Sequence, residues 1–188
     1  RAYAGGNWDW LTPFSVLTGV ALVTGYALLG ATWLVMKTEG ALRDRAVGFA
    51  RPLGAATLGL IGAVSLWTPF LHPRYLQHWF GFPNVLFTVW VPALILVCAW
   101  VFLRGLARGR DRWPFLAALG IFVLCFVGIG ISFYPYMVPH DLTIAEAAAP
   151  DESLWFLLVG TVVMVPMILG YTAYAYWVFR GKVDPHEG

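Results

Sequence analysis

Five stretches of the chain run for about twenty residues or more without an Asp, Glu, Lys, Arg or His: Pro13–Met36, Pro52–Leu71, Asn84–Leu103, Pro114–Tyr134 and Leu154–Phe179. A helix of ~20 apolar residues crosses ~30 Å of hydrocarbon, so each stretch is long enough to span a bilayer. A barrel strand would be ~10 residues long and would alternate apolar and polar positions, which these runs do not. The chain is 60% hydrophobic and 12% charged over 188 residues, too little charge to coat a water-soluble domain. The expected fold is therefore all-α: a polytopic membrane helix bundle of five transmembrane helices plus a short extracytoplasmic helix, one transmembrane bundle over residues 1–188. A net charge of +2 without a basic stripe argues against a nucleic-acid partner. Cys98 and Cys125 each stand alone in an apolar run, which supports neither a redox pair nor a zinc site.

The span boundaries carry their own signals. Pro13, Pro52, Pro83 and Pro114 stand at or just before span starts, where a missing N–H has no partner to lose. Thr12 is the expected N-cap of the first span. Pro92 and Pro166 fall inside spans and are expected to kink them. Segments 37–51, 104–112 and 180–188 hold 10 of the 12 basic residues, and the alternate segments hold only Arg1 and Arg74. By the positive-inside rule the N-terminus lies outside and the C-terminus in the cytoplasm. Trp8, Trp10, Trp67, Trp79 and Trp155 then fall near the outer boundary, and Trp33, Trp113 and Trp177 near the inner one, as an aromatic belt. Small residues four apart (Ser15 and Gly19; Ala21 and Gly25; Ala55, Gly59 and Ala63) offer faces for close helix contact.

The same runs limit the chemistry. Ion-coupled transport in a membrane core needs an ionisable group there, and these span cores carry none. A haem needs axial ligands, yet His72, His78, His140 and His186 all fall in loops or the tail. Met36, Met137, Met164 and Met167 read as packing residues. Three polar clusters remain. In "GYALLGATWLVMKTEGALRDR" (25–45), Thr24 just before it and Thr32 within it can bond to the preceding turn, Lys37 can snorkel to the headgroups, and Gly30 is an interface candidate. In "GYTAYAYWVFRGKV" (170–183), Tyr171 and Tyr174 share one face and Tyr176 and Arg180 another, with Trp177 between them. In "YPYMVPHDLTIAEAAAP" (134–150), Pro135 and Pro139 end the fourth span beside Tyr136. Thr143 and Glu146 then have capping-box spacing for a short helix over 143–149. A metal role for His140, Asp141 and Glu146 lacks a third well-spaced ligand.

The motifs "GYALLGATWLVMKTEG", "YPYMVPHDLTIAEAAAP" and "LGYTAYAYWVFRGKV" resemble the carboxyl-terminal half of subunit II of the cytochrome bd-type quinol oxidases, most closely the cyanide-insensitive branch. The resemblance runs from Trp8 to Val183. It implies a subunit of a terminal oxidase of aerobic respiration in the bacterial inner membrane. The complex oxidises a quinol, reduces dioxygen to water and builds a proton gradient. The resemblance places haem b and haem d in the partner, subunit I, with no cofactor bound by this chain itself and no catalytic residue carried over. A small accessory subunit and membrane lipid are further candidate partners, and a quinone groove at Tyr171 and Tyr174 is a candidate cofactor site. The family's subunit II is a longer chain, so this one reads as a fragment lacking the amino-terminal half, where the functional acid lies. Trp8 and Asp9 in "GNWDW" do not match that acid's motif. The alternative is a stand-alone permease or channel fragment.

Overall fold

The computed structural model describes residues 8–71, 89–138 and 142–182, with Gly6 and Gly81. Among the described residues there are five long helices: α1 (Pro13–Lys37), α2 (Gly40–Leu71), α3 (Trp90–Ala107), α4 (Arg112–Phe133) and α6 (Asp151–Val178). Each is long and apolar enough to cross a membrane. Between α4 and α6 lie two short strands, β1 (Tyr136–Val138) and β2 (Leu142–Thr143), and one helical turn, α5 (Ile144–Ala147). The all-α polytopic reading holds, apart from this small antiparallel ladder. The chain forms two compact units, one within residues 1–132 and the other Phe133–Lys182.

In the first unit, Thr12 caps α1 in a reciprocal box. Its hydroxyl accepts the Ser15 N–H at 3.1 Å, and the Ser15 hydroxyl accepts the Thr12 N–H at 2.9 Å, with Pro13 at the first helical position. α1 and α2 pack along each other, separated only by Thr38 and Glu39. The second span does not begin at Pro52. α2 starts twelve residues earlier at Gly40, so Pro52 lies inside the helix. The added segment is polar and helical, and a proline costs its helix only the local backbone bond when neighbours on both sides keep helical geometry. Pro92 falls in the first turn of α3, where no kink is required. Pro83 and Asn84 lie outside the described residues.

Four helices share one core: Leu28 and Ala31 of α1, Ala50 of α2, Phe102 and Leu106 of α3, and Ala117 and Ala118 of α4. Small residues make it possible. On α2 the buried row is Ala46, Ala50, Gly54 and Thr57, not Ala55, Gly59 and Ala63, which are exposed. A Cβ placed on Gly54 would sit 2.5 Å from the Phe102 ring. On Gly25 it would sit 2.8 Å from Phe122, and on Gly105 2.9 Å from Pro114. These three glycines are the sockets into which rings seat, and the absence of a side chain is what lets the backbones approach. Thr24 and Thr32 do bond back to Val20 and Leu28, at 2.7 and 2.8 Å. Among the described residues the buried Thr57 hydroxyl finds no partner.

In the second unit, Tyr136 pairs with Thr143 and Val138 with Leu142, across a bulge. The Ile144 N–H donates to the Pro135 carbonyl at 2.9 Å and ties α5 to the start of β1. The short helix stops at Ala147, sooner than expected. Ala148 is extended (φ −59°, ψ 134°), and Pro150 disfavours helix at Ala149. α6 buries no residue.

Candidate functional site

Polar contacts of the first unit gather at the turn joining α3 to α4. α3 ends in a Schellman turn: Gly109 adopts φ +63°, and the Arg110 N–H reaches back to the Gly105 carbonyl at 3.0 Å. A residue with a Cβ would be strained there, so the glycine sets the reversal. Arg43, from the first turn of α2, clamps this turn. Its Nε and Nη2 donate to Asp111 Oδ1 at 2.8 and 2.6 Å, and its Nη1 lies 3.4 Å from Asp44. Both partners of the Arg43–Asp111 pair are largely covered. Sixty-eight residues separate them, so no local spacing announced the contact.

Two tryptophans, one on α1 and one on α3, carry cations one turn later. Lys37 Nζ lies 5.3 Å from the Trp33 ring centroid, and the Arg104 guanidinium 4.1 Å from that of Trp100. The i, i+4 spacing puts each pair on one helical face. Trp33 also meets Phe115 edge-on at 5.1 Å. Thr32 is fully buried beside it and Gly30 is exposed, with open space where its Cβ would be. Thus Gly30, Thr32 and Lys37 do not form one site: Thr32 belongs to the core, Gly30 to the outer face and Lys37 to the helix end.

In the second unit, the capping box is complete. The Thr143 hydroxyl accepts the Glu146 N–H at 3.2 Å, while Glu146 Oε2 accepts the Thr143 N–H at 2.9 Å and its O–H at 2.8 Å. The backbone N–H, and then the hydroxyl, of Thr143 hold the Glu146 carboxyl below the usual carboxylate range. Pro135 is exposed, with a cis bond to Tyr134, and Tyr136 starts β1. Pro139, His140 and Asp141 lie outside the described residues. Glu146 serves the cap, and among the described residues no three His, Cys, Asp or Glu side chains gather to hold a metal.

On α6, Tyr171 is 74% exposed and Tyr174 packs its ring against Trp177 at 6.2 Å. Arg180 lies over Trp177 at 4.9 Å. Trp177 thus joins Tyr174 to Arg180 in a short stack at the helix end. An open depression of ≈ 470 Å³ lies at the other end of α6, along Asp151, Leu154, Trp155, Leu158 and Thr161. At the amino end of the chain, Asp9 accepts the Gly6 N–H at 2.6 Å, and Trp8 and Trp10 stack at 6.3 Å.

Five apolar helices, charge-free cores and cations held on tryptophans at helix ends define a multi-pass membrane protein. Residues 1–179 match the family model of the cytochrome bd terminal oxidase subunit II, and the chain belongs to that family. It is 25% identical over 214 aligned positions to the cytochrome bd-I ubiquinol oxidase subunit 2 of Escherichia coli strain K12, covering 98% of this chain and 56% of the relative. It is 27% identical over 189 positions to the cytochrome bd ubiquinol oxidase subunit 2 of Bacillus subtilis strain 168, covering 95% and 53%. The match to the probable cytochrome oxidase subunit 2 of Haemophilus influenzae is 24% over 210 positions, covering 97% and 56%. The chain spans about half the length of the curated relatives it matches.

Proposed function

We propose that this chain works as the haem-free subunit II of a bd-type quinol oxidase in the bacterial inner membrane, beside a haem-bearing subunit I. The family membership over residues 1–179 carries this reading. The chemistry of the spans supports it. They contain no histidine for a haem iron and no acid or base for proton relay, which supports a chain that leaves the haems to its partner. Quinol oxidation and the reduction of dioxygen then fall to the partner's b- and d-type haems. This chain contributes a packed four-helix core and a fifth helix. Its charge asymmetry supports an orientation with the Arg43–Asp111 turn and the Trp177–Arg180 stack on the cytoplasmic side, and the Thr143–Glu146 cap outside. A quinone seated along Tyr171 and Tyr174 is part of the same reading.

The test is to tag the native full-length protein, extract it in mild detergent and record a reduced-minus-oxidised spectrum. Haem bands with quinol oxidase activity in the co-purifying complex are expected. A stable, haem-free preparation without a large second subunit overturns the reading in favour of a permease or channel. For the quinone, Tyr171→Ala together with Tyr174→Ala is expected to lower the quinone in lipid extracts of the complex. Unchanged content removes that part.

A further inference from the structure

We propose that the turn joining α3 to α4 is a binding site for an anionic phospholipid, whose phosphate is held by Arg104 and Arg108. Segment 104–112 holds four arginines, Arg104, Arg108, Arg110 and Arg112, and all four are exposed. Its one acid, Asp111, would ordinarily quench them. Instead Asp111 is engaged by Arg43, which arrives from α2 with two donors on one carboxylate oxygen. The clamp cancels the acid from outside the segment and leaves the four arginines without an ion pair among the described residues. Arginine N–H groups match phosphate oxygens in fork geometry. Arg104 is also pre-positioned: its guanidinium lies over the Trp100 ring, 4.1 Å from the centroid, and that contact restrains the side chain, so less freedom is lost on binding.

The occupant is a lipid and not free phosphate because the cation continues an apolar stripe. Leu96, Trp100, Leu103 and Arg104 recur at helical spacing on one face of α3, and the three apolar members are 70%, 54% and 58% exposed. An acyl chain lies along Leu96 and Leu103, the Trp100 ring sits at the carbonyl level, and the phosphate meets Arg104 and Arg108 one turn apart. Trp113, also exposed, stands at the start of the returning helix. The inference rests on the membrane-subunit reading. The measurement below reads lipid binding, so its failure is distinguishable from failure of haem co-purification.

The experiment takes the full-length protein in its purified complex, delipidated in detergent, and titrates phosphatidylglycerol against phosphatidylcholine, with native mass spectrometry counting bound lipid. R104Q/R108Q is expected to weaken phosphatidylglycerol binding by about tenfold or more, at about fivefold per arginine near an anionic lipid surface. R45Q/R51Q removes the same charge from α2 and is expected to change it by less than about threefold. W100L, which keeps every charge, is expected to weaken binding severalfold and serves if the glutamine variant fails to assemble. Equal losses in the two double variants would mean a diffuse charge effect and overturn the site. So would unchanged binding in R104Q/R108Q, or in W100L where that variant is the one that assembles. Displacement of the lipid by inorganic phosphate in millimolar amounts would reassign the site to the free anion and overturn the lipid proposal.

Discussion

The long helix described in the second unit is as apolar as the four of the first, yet only those four have long neighbours in their own unit to pack against. α1 to α4 interlock around Phe102, which is 1% exposed, while α6 buries nothing. Within the first unit it is residue size, more than hydrophobicity, that lets the helices close together. Contact faces in the first unit are built from Ala31, Ala46, Ala50, Gly54, Gly105, Ala117 and Ala118, with a few large side chains seated among them. The middle of α6, "LLVGTVVMVPMIL", is bulky all round, and open space surrounds the positions of Gly160 and Gly170. Lipid tails are as apolar as leucine, so apolarity inserts a helix but cannot drive it onto a neighbour. Close packing does that, and small residues permit it.

The largest expected effect tests this contrast directly. Phe102→Ala should cost about 3–5 kcal/mol, because it empties a filled socket. Phe156→Ala, on the exposed surface of α6, should stay within about 0.5 kcal/mol. Thermal unfolding of the purified full-length protein in lipid–detergent micelles measures both. Equal losses would break the comparison and show α6 to be packed as tightly as α3.

A middle-sized effect sharpens it. Gly54→Val drives a side chain into the Phe102 ring and should cost about 1–3 kcal/mol. Gly160→Ala meets nothing and should be neutral, or stabilise by up to about 1 kcal/mol through helix propensity. A tolerated Gly54→Val would show that the ring has room to move and that the socket is not what sets the helix spacing.

The smallest effect belongs to the second unit, which is held locally by its cap. Thr143→Ala should cost about 1 kcal/mol of local stability. Hydrogen exchange at the amides of 144–147 is expected to speed up, while the cores of α1 to α4 keep their protection. Glu146 gives the same loop a pH dependence. Its folded pKa lies below the unfolded value, so the cap is at full strength above the ordinary carboxylate range and is lost as pH falls through the lowered value. A protection factor at these amides that stays unchanged on acidification would remove Glu146 from the cap.

The sequence was most legible where the signal was local. The Thr12 cap before Pro13, the pairing of Thr143 with Glu146, and the back-bonded Thr24 and Thr32 each close within one helical turn, and all four appear as read. Pro52 misled because a proline marks a helix start only when nothing upstream can continue the helix, and Gly40–Arg51 can. The small-residue row of α2 was written in the sequence twice, as Ala55–Gly59–Ala63 and as Ala46–Ala50–Gly54. Spacing could not choose between them. The candidate site was partly legible too: Trp33 with Lys37 and Trp100 with Arg104 share the i, i+4 spacing.

By itself, then, the sequence determined the five helices, among the described residues, that are long and apolar enough to cross a membrane. Transfer of a charge-free run of that length out of water depends only on the run itself. It also determined the caps, which close within one helical turn. Only the tertiary structure decided which glycines became sockets, and that Arg43 reaches Asp111 to leave four arginines free of the acid beside them. Those contacts join residues far apart in the chain, and their partners are chosen by how the helices cross, which no local spacing encodes.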